Sequence, residues 1–105
     1  MVALNDIEEF SQALVREFRP RRVVLFGSHA SGTARDDSDV DLLVTMDYEG
    51  NSLCTAAEII RRLKPRFAVD LIVRTDREMK ERIRQHDPFV ADAAESGRLL
   101  YEASD

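Results

Sequence analysis

Apolar residues along this chain change from one spacing to another, and the changes mark out its elements. Ile7, Phe10, Leu14 and Phe18 recur every three to four positions, which predicts an amphipathic helix over residues 6–18. Asn5 with Glu8 forms a capping box at its start, and Pro20 closes it. Four β-prone apolar residues, Val23, Val24, Leu25 and Phe26, then run up to Gly27, the pattern of a buried strand that ends in a sharp turn. Polar residues 28–38 read as a loop with one helical turn near Ala30. From 39 to 45 the spacing falls to two, with Val40, Leu42 and Val44 on one side of a second strand and Asp39, Asp41 and Leu43 on the other.

Helical spacing returns in the second half. Ser52 is placed to cap a helix whose inner face carries Leu53, Ala56, Ile60 and Leu63 and which must stop before Pro65. Residues 68–73 form a third strand, and Thr75 with Glu78 caps a charged helix reaching Gln85, with Met79 and Ile83 turned inward. A further helix starts at Asp87, holds Pro88 in its first position and ends at Gly97, and residues 99–101 add an edge strand. This alternation predicts an α/β fold, a small mixed β-sheet flanked by about four helices, in a single domain spanning 1–105.

Composition narrows the function classes. With 44% hydrophobic and 33% charged residues the chain can bury an ordinary core and is not of the disordered type. No apolar run approaches the ~20 residues of a membrane span, and the start lacks a basic-then-apolar leader, so no membrane association and a cytoplasmic location are expected. Cys54 is the only cysteine, which rules out an intrachain disulfide and a cysteine-based zinc site and predicts a core-filling role. The net charge of -5 argues against direct nucleic-acid binding, which needs a basic surface. The charges are nonetheless segregated: residues 36–49 hold six acids and no base, whereas 61–84 hold nine of the fifteen basic residues. An acidic pocket beside a basic flank suits metal ions and phosphates.

Three features carry the chemistry, and each alone also fits a plain structural role. Gly27-Ser28 ends a strand where glycine permits close backbone approach and free amides can cradle phosphate oxygens. Asp39-Val40-Asp41 sets two carboxylates about 6.5 to 7 Å apart on one strand face. Asp70 interrupts an apolar run, Ala68-Val69-Asp70-Leu71-Ile72-Val73, and a carboxylate buried there needs an arginine or a metal. If the second and third strands are neighbours, the three acids form a like-charged group that repels itself unless cations neutralise it. Oxygen ligands without Cys or His suit Mg²⁺ or Mn²⁺, and two such ions can stabilise an in-line displacement at phosphorus.

Leu25-Phe26-Gly27-Ser28-His29-Ala30-Ser31-Gly32 followed by Asp37-Ser38-Asp39-Val40-Asp41-Leu42-Leu43-Val44 resembles the signature of the DNA polymerase β-type nucleotidyltransferase superfamily. Ten residues separate Ser28 from Asp39, within that signature's spacing. The third carboxylate and the ending Glu95-Ser96-Gly97-Arg98-Leu99-Leu100-Tyr101-Glu102 are most similar to its minimal branch, the MntA-like antitoxins found beside HEPN-domain toxins.

The resemblance implies that Gly27 and Ser28, with Ser38, hold the triphosphate of ATP. It implies also that Asp39 and Asp41 bind two Mg²⁺ ions, with Mn²⁺ as a substitute, and that Asp70 completes the site beside the attacking hydroxyl. Members often carry basic residues in the turn after Gly-Ser, where this chain has His29 and Ser31, so Arg35 or a partner's cation is expected to compensate. His29 itself reads as a solvated turn residue and His86 as structural. The implied reaction transfers AMP from ATP to a tyrosine hydroxyl of a HEPN toxin. Only 35 residues follow Asp70, which favours a protein acceptor that brings its own binding surface. Two other readings stay open: a non-catalytic module that occludes its partner, and a nucleotidyltransferase acting on a small hydroxylated molecule in a pocket closed by an oligomer.

Overall fold

A computed structural model of the chain describes residues 2–104, apart from the side chains of Phe89 and Ala94. Its elements are α1 (Leu4–Phe18), β1 (Arg22–Phe26), α2 (Ser28–Ser31), β2 (Val40–Thr45), α3 (Ser52–Leu63), β3 (Val69–Arg74), α4 (Asp76–Arg84), α5 (Pro88–Ser96) and β4 (Arg98–Glu102). One mixed sheet takes in the four strands in the order β3-β2-β1-β4. β1 lies antiparallel to both β2 and β4, whereas β2 and β3 are parallel. The expected architecture is therefore present, and the one-turn α2 is the helical turn anticipated near Ala30.

Alternation along the strands divides the interior into two layers. Val23, Leu25, Val40, Leu42, Val44, Leu71 and Val73 face the larger layer, where they meet Ile7, Phe10 and Leu14 of α1 and Ala56 and Ile59 of α3. The other face carries Phe26 and Leu43, with Val24 and Ile72 packed alongside, against Met79 of α4 and Val90 and Ala93 of α5. Parallel neighbours need a crossover, and α3 supplies it between β2 and β3. Leu14, Leu25 and Leu42 are fully buried, and each contributes about 1.5–3 kcal/mol through removal of its side chain from water. No helix among the described residues is long and apolar enough to cross a membrane.

Several helix details depart from the sequence expectation for local reasons. α1 starts earlier than residue 6, with Ala3 at its N-cap, and Asp6 rather than Glu8 accepts the Ala3 amide at 3.2 Å. Its C-cap, Arg19, takes a left-handed conformation at φ 49° before buried Pro20. α3 is capped by Asn51, not Ser52: the Asn51 side chain accepts from the amides of Leu53 at 2.7 Å and Cys54 at 3.4 Å. Its buried residues are Ala56 and Ile59, while Ile60 and Leu63 are partly buried and Leu53 is 76% exposed. Helical spacing alone cannot decide which of the adjacent Ile59 and Ile60 points inward. Cys54, in the first turn of α3, is exposed instead of filling the core. On α4 the Thr75–Glu78 capping box forms as expected, and Met79 is buried, but Ile83 is 53% exposed.

The basic segment also breaks up. Arg61 pairs with Glu58, and Arg62 reaches Glu17 at 3.4 Å while lying over the Phe18 ring. Arg61 and Arg62 belong to α3, on the layer opposite Leu43 and Ile72. Arg82 and Arg84 of α4 pair with Asp87 at 2.8 Å and Glu81 at 3.5 Å. The basic residues of α3 and those of α4 therefore do not share one face, because the two helices sit on opposite sides of the sheet.

Gly97 ends α5 as expected, but for a different reason than a left-handed cap. A Cβ at this position would overlap the Ala93 carbonyl oxygen and lie 2.6 Å from Val24 Cγ1, so glycine is needed where the chain passes tightly from α5 into β4. Gly97→Ala is expected to lower unfolding stability by about 1–3 kcal/mol, the usual cost of overpacking, as read from urea denaturation.

Candidate active site

The site begins where β1 ends. Gly27 has φ 73° and ψ -154°, a backbone region in effect reserved for glycine. This turn starts α2 at Ser28, where the amides of Ala30 and Ser31 both donate to the Gly27 carbonyl at 3.1 Å. The Ser28 and His29 amides precede that first bonded turn and have no intrahelical acceptor. A Cβ on Gly27 would overlap Asp41 Oδ2 and lie 3.1 Å from Asp41 Cγ. Conformation thus demands glycine here, and a Cβ would also have to push the Asp41 carboxylate aside.

Register then assembles the acids. Phe26 pairs with Asp41 across the antiparallel β1–β2 ladder, and Asp41 pairs with Asp70 across the parallel β2–β3 ladder. Directly paired residues share a face, so Phe26, Asp41 and Asp70 form one row, beside the apolar row of Val24, Leu43 and Ile72. Neighbouring strands stand ~4.8 Å apart, which sets the Asp41 and Asp70 backbones side by side. Asp39 lies two residues before Asp41, just ahead of the first residue of β2.

Asp41 is half-buried, while Asp39 and Asp70 are exposed. The expectation that Asp70 is a buried carboxylate therefore fails. It is the second residue of β3, on a strand at the sheet's edge, beyond the apolar row that α4 and α5 cover. Among the described residues none of the three carboxylates has a hydrogen bond or an ion pair. The Asp41 carboxyl is held above the ordinary aspartate range, first by burial, then by the negative charges of Asp70 and Asp39, with His29 acting in the opposite direction.

No three acid, histidine or cysteine side chains among the described residues close into a ready-made metal cage. Like charges do not converge by themselves, and Mg²⁺ commonly uses one or two carboxylates with water and substrate phosphates. The donor set fits such an open arrangement: oxygen ligands unused by other groups, beside a glycine turn whose missing Cβ is the space that the Asp41 carboxylate takes.

The remaining predicted residues divide. Ser28 is half-buried at the start of α2. Ser38 closes the loop before β2: its hydroxyl accepts the Arg35 amide at 2.8 Å, and its own amide donates to the Arg35 carbonyl at 3.1 Å. Arg35 is exposed, and the turn uses its backbone. His29, expected to be solvated, is half-buried and bonded through Nε2 to the Ser38 carbonyl at 3.1 Å. No spacing rule links positions 29 and 38, which is why the sequence gives no sign of the contact. His86 is exposed and has φ 59°, in the left-handed region between α4 and α5.

A strand, a glycine turn and paired acids on the next two strands define the class of protein, and comparison agrees. The chain belongs to the nucleotidyltransferase domain family, which it matches over residues 7–101. It is a nucleotidyltransferase. It is 32% identical over 100 residues, 90% of this chain and 94% of the relative, to a Methanocaldococcus jannaschii protein assigned as a protein adenylyltransferase. With the protein adenylyltransferase MntA of Thermococcus cleftensis it shares 42% identity over 53 residues, about half of each chain. A crystal structure assigned as a nucleotidyltransferase from Sulfolobus solfataricus superposes with a TM-score of 0.64 at 25% identity, covering 94% of this chain and 79% of that one. A toxin–antitoxin complex crystallised with AMP-PNP shares the fold, with a TM-score of 0.59 at 23% identity over 92% of this chain and 74% of that one.

Two outcomes test this geometry. Gly27→Ala is expected to lose about 1–3 kcal/mol, since the backbone conformation is strained for any Cβ and the new methyl must displace the Asp41 carboxylate. Asp41→Asn is expected to be stabilising at pH 7. With its folded pKa raised, the penalty for ionised Asp41 sets in as pH climbs above its ordinary value of 3.8 and is complete above the folded value. The rise in Tm should therefore be present at pH 7 and vanish near pH 3; thermal melts at both values provide the check.

Proposed function

We propose that this chain, acting as one domain over residues 1–105 in the cytoplasm, transfers AMP from ATP to a hydroxyl of a partner protein. On this reading it is the antitoxin of a HEPN-type toxin and modifies a tyrosine of that toxin. The observation that carries the proposal is the row in which Asp41 pairs with Asp70, with Asp39 two residues away and the Gly27 turn against Asp41. The protein adenylyltransferase names of the two relatives support a protein acceptor, and the toxin–antitoxin complex that shares the fold supports the partner class.

The residues take distinct parts. Gly27 brings backbone close to Asp41, and the Ser28 and His29 amides, lacking helical acceptors, are available to triphosphate oxygens. Ser38 holds the approach to Asp39 and completes the nucleotide-binding set. Asp39, Asp41 and Asp70 would hold two Mg²⁺ ions, or Mn²⁺, which neutralise charge on the triphosphate and activate the incoming hydroxyl. Asp70 stands at the open edge strand of this row, where an acceptor can approach and its carboxylate can take the hydroxyl proton. The acceptor oxygen forms a bond to the α-phosphorus, the bond from that phosphorus to the β-phosphate bridge breaks, and pyrophosphate leaves.

Incubation with ATP, Mg²⁺ and the neighbouring-gene partner should add one or more AMP units to the partner by mass spectrometry. Binding that neutralises the partner with no mass gain would instead establish the occluding-module reading. For Asp70→Asn, we expect ATP affinity within about tenfold of the parent, or ~1.4 kcal/mol. Transfer should fall about a thousandfold or more, because the amide keeps the volume but loses both the proton acceptor and the charge. Calorimetric ATP titration and timed AMP incorporation on the same preparations separate the two effects. A parallel fall in both would assign Asp70 to nucleotide holding.

A further inference from the structure

The loop before β2 decides where Asp39 stands. Residues 33–39 form no helix or strand, and residues 35–38 close on themselves through the two Arg35–Ser38 bonds. That closed turn has to be fixed relative to α2, whose first residues follow Gly27. Ser31 cannot do this, because its hydroxyl is engaged with the Ser28 carbonyl at 3.3 Å and the Thr33 hydroxyl at 2.8 Å, both near its own turn. Among the described residues, the side-chain hydrogen bond joining α2 to the 35–38 turn is that of His29 Nε2 with the Ser38 carbonyl, at 3.1 Å. A carbonyl oxygen can only accept, so Nε2 carries the proton and the ring donates. Ser38 is bonded directly to Asp39, so the ring holds the peptide from which the Asp39 side chain departs.

We infer that His29 is a positioning residue, whose ring clamps the Ser38 carbonyl and thereby sets Asp39 relative to Asp41. The inference rests on the metal-binding part given to Asp39 under the proposed function. Ordering the loop before the nucleotide arrives lowers the conformational entropy that binding must otherwise remove. A solvated turn residue would do none of this.

The test compares the full chain with His29→Ala, which removes the donor, and His29→Gln, whose amide N–H can reach the same carbonyl. Hydrogen exchange reports the loop, and Mn²⁺ binding in the presence of a non-hydrolysable ATP analogue, followed by electron paramagnetic resonance, reports the acids. In His29→Ala, exchange at residues 35–40 should rise about tenfold and Mn²⁺ affinity should fall about tenfold, while Tm moves little because the contact lies outside both core layers. His29→Gln should recover most of both. Unchanged exchange and unchanged Mn²⁺ affinity in His29→Ala would overturn the inference. A fall in affinity that follows a collapse of Tm and is not recovered by glutamine would overturn it too, since His29 would then be a plain stability residue. Failure of the unaltered chain to bind Mn²⁺ with the analogue is a separate result: it would overturn the metal reading of the three aspartates, and the inference built on it.

Discussion

The parallel pairing of β2 with β3 is the constraint on which the rest of the molecule depends. It sets Asp41 beside Asp70, two like charges about one strand spacing apart, an arrangement that by itself opposes pairing. What holds it are the next rungs of the same ladder, Leu42 with Leu71, Leu43 with Ile72 and Val44 with Val73, which bury apolar side chains on both faces of the sheet. Each buried aliphatic residue contributes about 1.5–3 kcal/mol, and the rungs together outweigh a repulsion of about 3–4 kcal/mol between two carboxylates at that spacing near a protein surface. A slip of one residue would carry Asp70 to the face of Leu42 and Val44, into the larger core layer, so the pattern that protects the core also fixes the acids.

The two faces of the sheet serve different ends. On the face of α1 and α3, buried residues extend along β2 from Val40 to Val44, and that layer is closed over its length. On the other face α4 and α5 cover the row of Val24, Leu43 and Ile72 and, from the next row, Phe26, while the two acids of that row lie past their reach. Helix capping helps hold α4 in this place. Glu78 accepts the Thr75 amide at 2.9 Å and the Tyr48 hydroxyl at 2.7 Å, and these two donors keep its carboxyl below the ordinary range. The loop after β2 is thereby tied to the start of α4, at the end of the sheet away from Asp41. Rigid packing at one end and open carboxylates at the other are consequences of the same short strands.

What the sequence made legible follows from which interactions are periodic. The period-two run after residue 39 assigned Val40, Leu42 and Val44 to one face and Asp41 and Leu43 to the other, as the structure has them. The glycine turn, the Thr75 cap and the order of elements were also readable, because they depend on residues close together in the chain. Burial at element ends was not. Asp70 reads as buried from its apolar neighbours, yet burial depends on how far α4 and α5 extend over the sheet, which local pattern does not encode. Leu53 departs for a related reason, since a first-turn residue of α3 obeys the helical period without reaching the sheet, and Cys54, read as core-filling from its residue type alone, is exposed in the same turn. The His29–Ser38 contact lies beyond any such rule: it joins two irregular positions nine residues apart, and only the path of the loop brings them together.

An open site shifts the burden of positioning from the ligands to the backbone behind them. Three carboxylates without hydrogen-bond partners have no side-chain network to hold their direction, and mutual repulsion favours their spreading into water. A closed cage would cure this but would leave little room for triphosphate oxygens in the coordination of a small, strongly hydrated cation. The structure answers with fixed main chain. Asp41 and Asp70 are set by ladder register, and Asp41 is further confined by Gly27, whose missing Cβ is the space its carboxylate occupies. Asp39 has neither support, because it stands one residue outside β2 at the end of an irregular loop. The least constrained of the three acids is thus the one whose preceding peptide carries a side-chain clamp, and the need for that clamp arises from the strand ending at Val40 and not at Asp39.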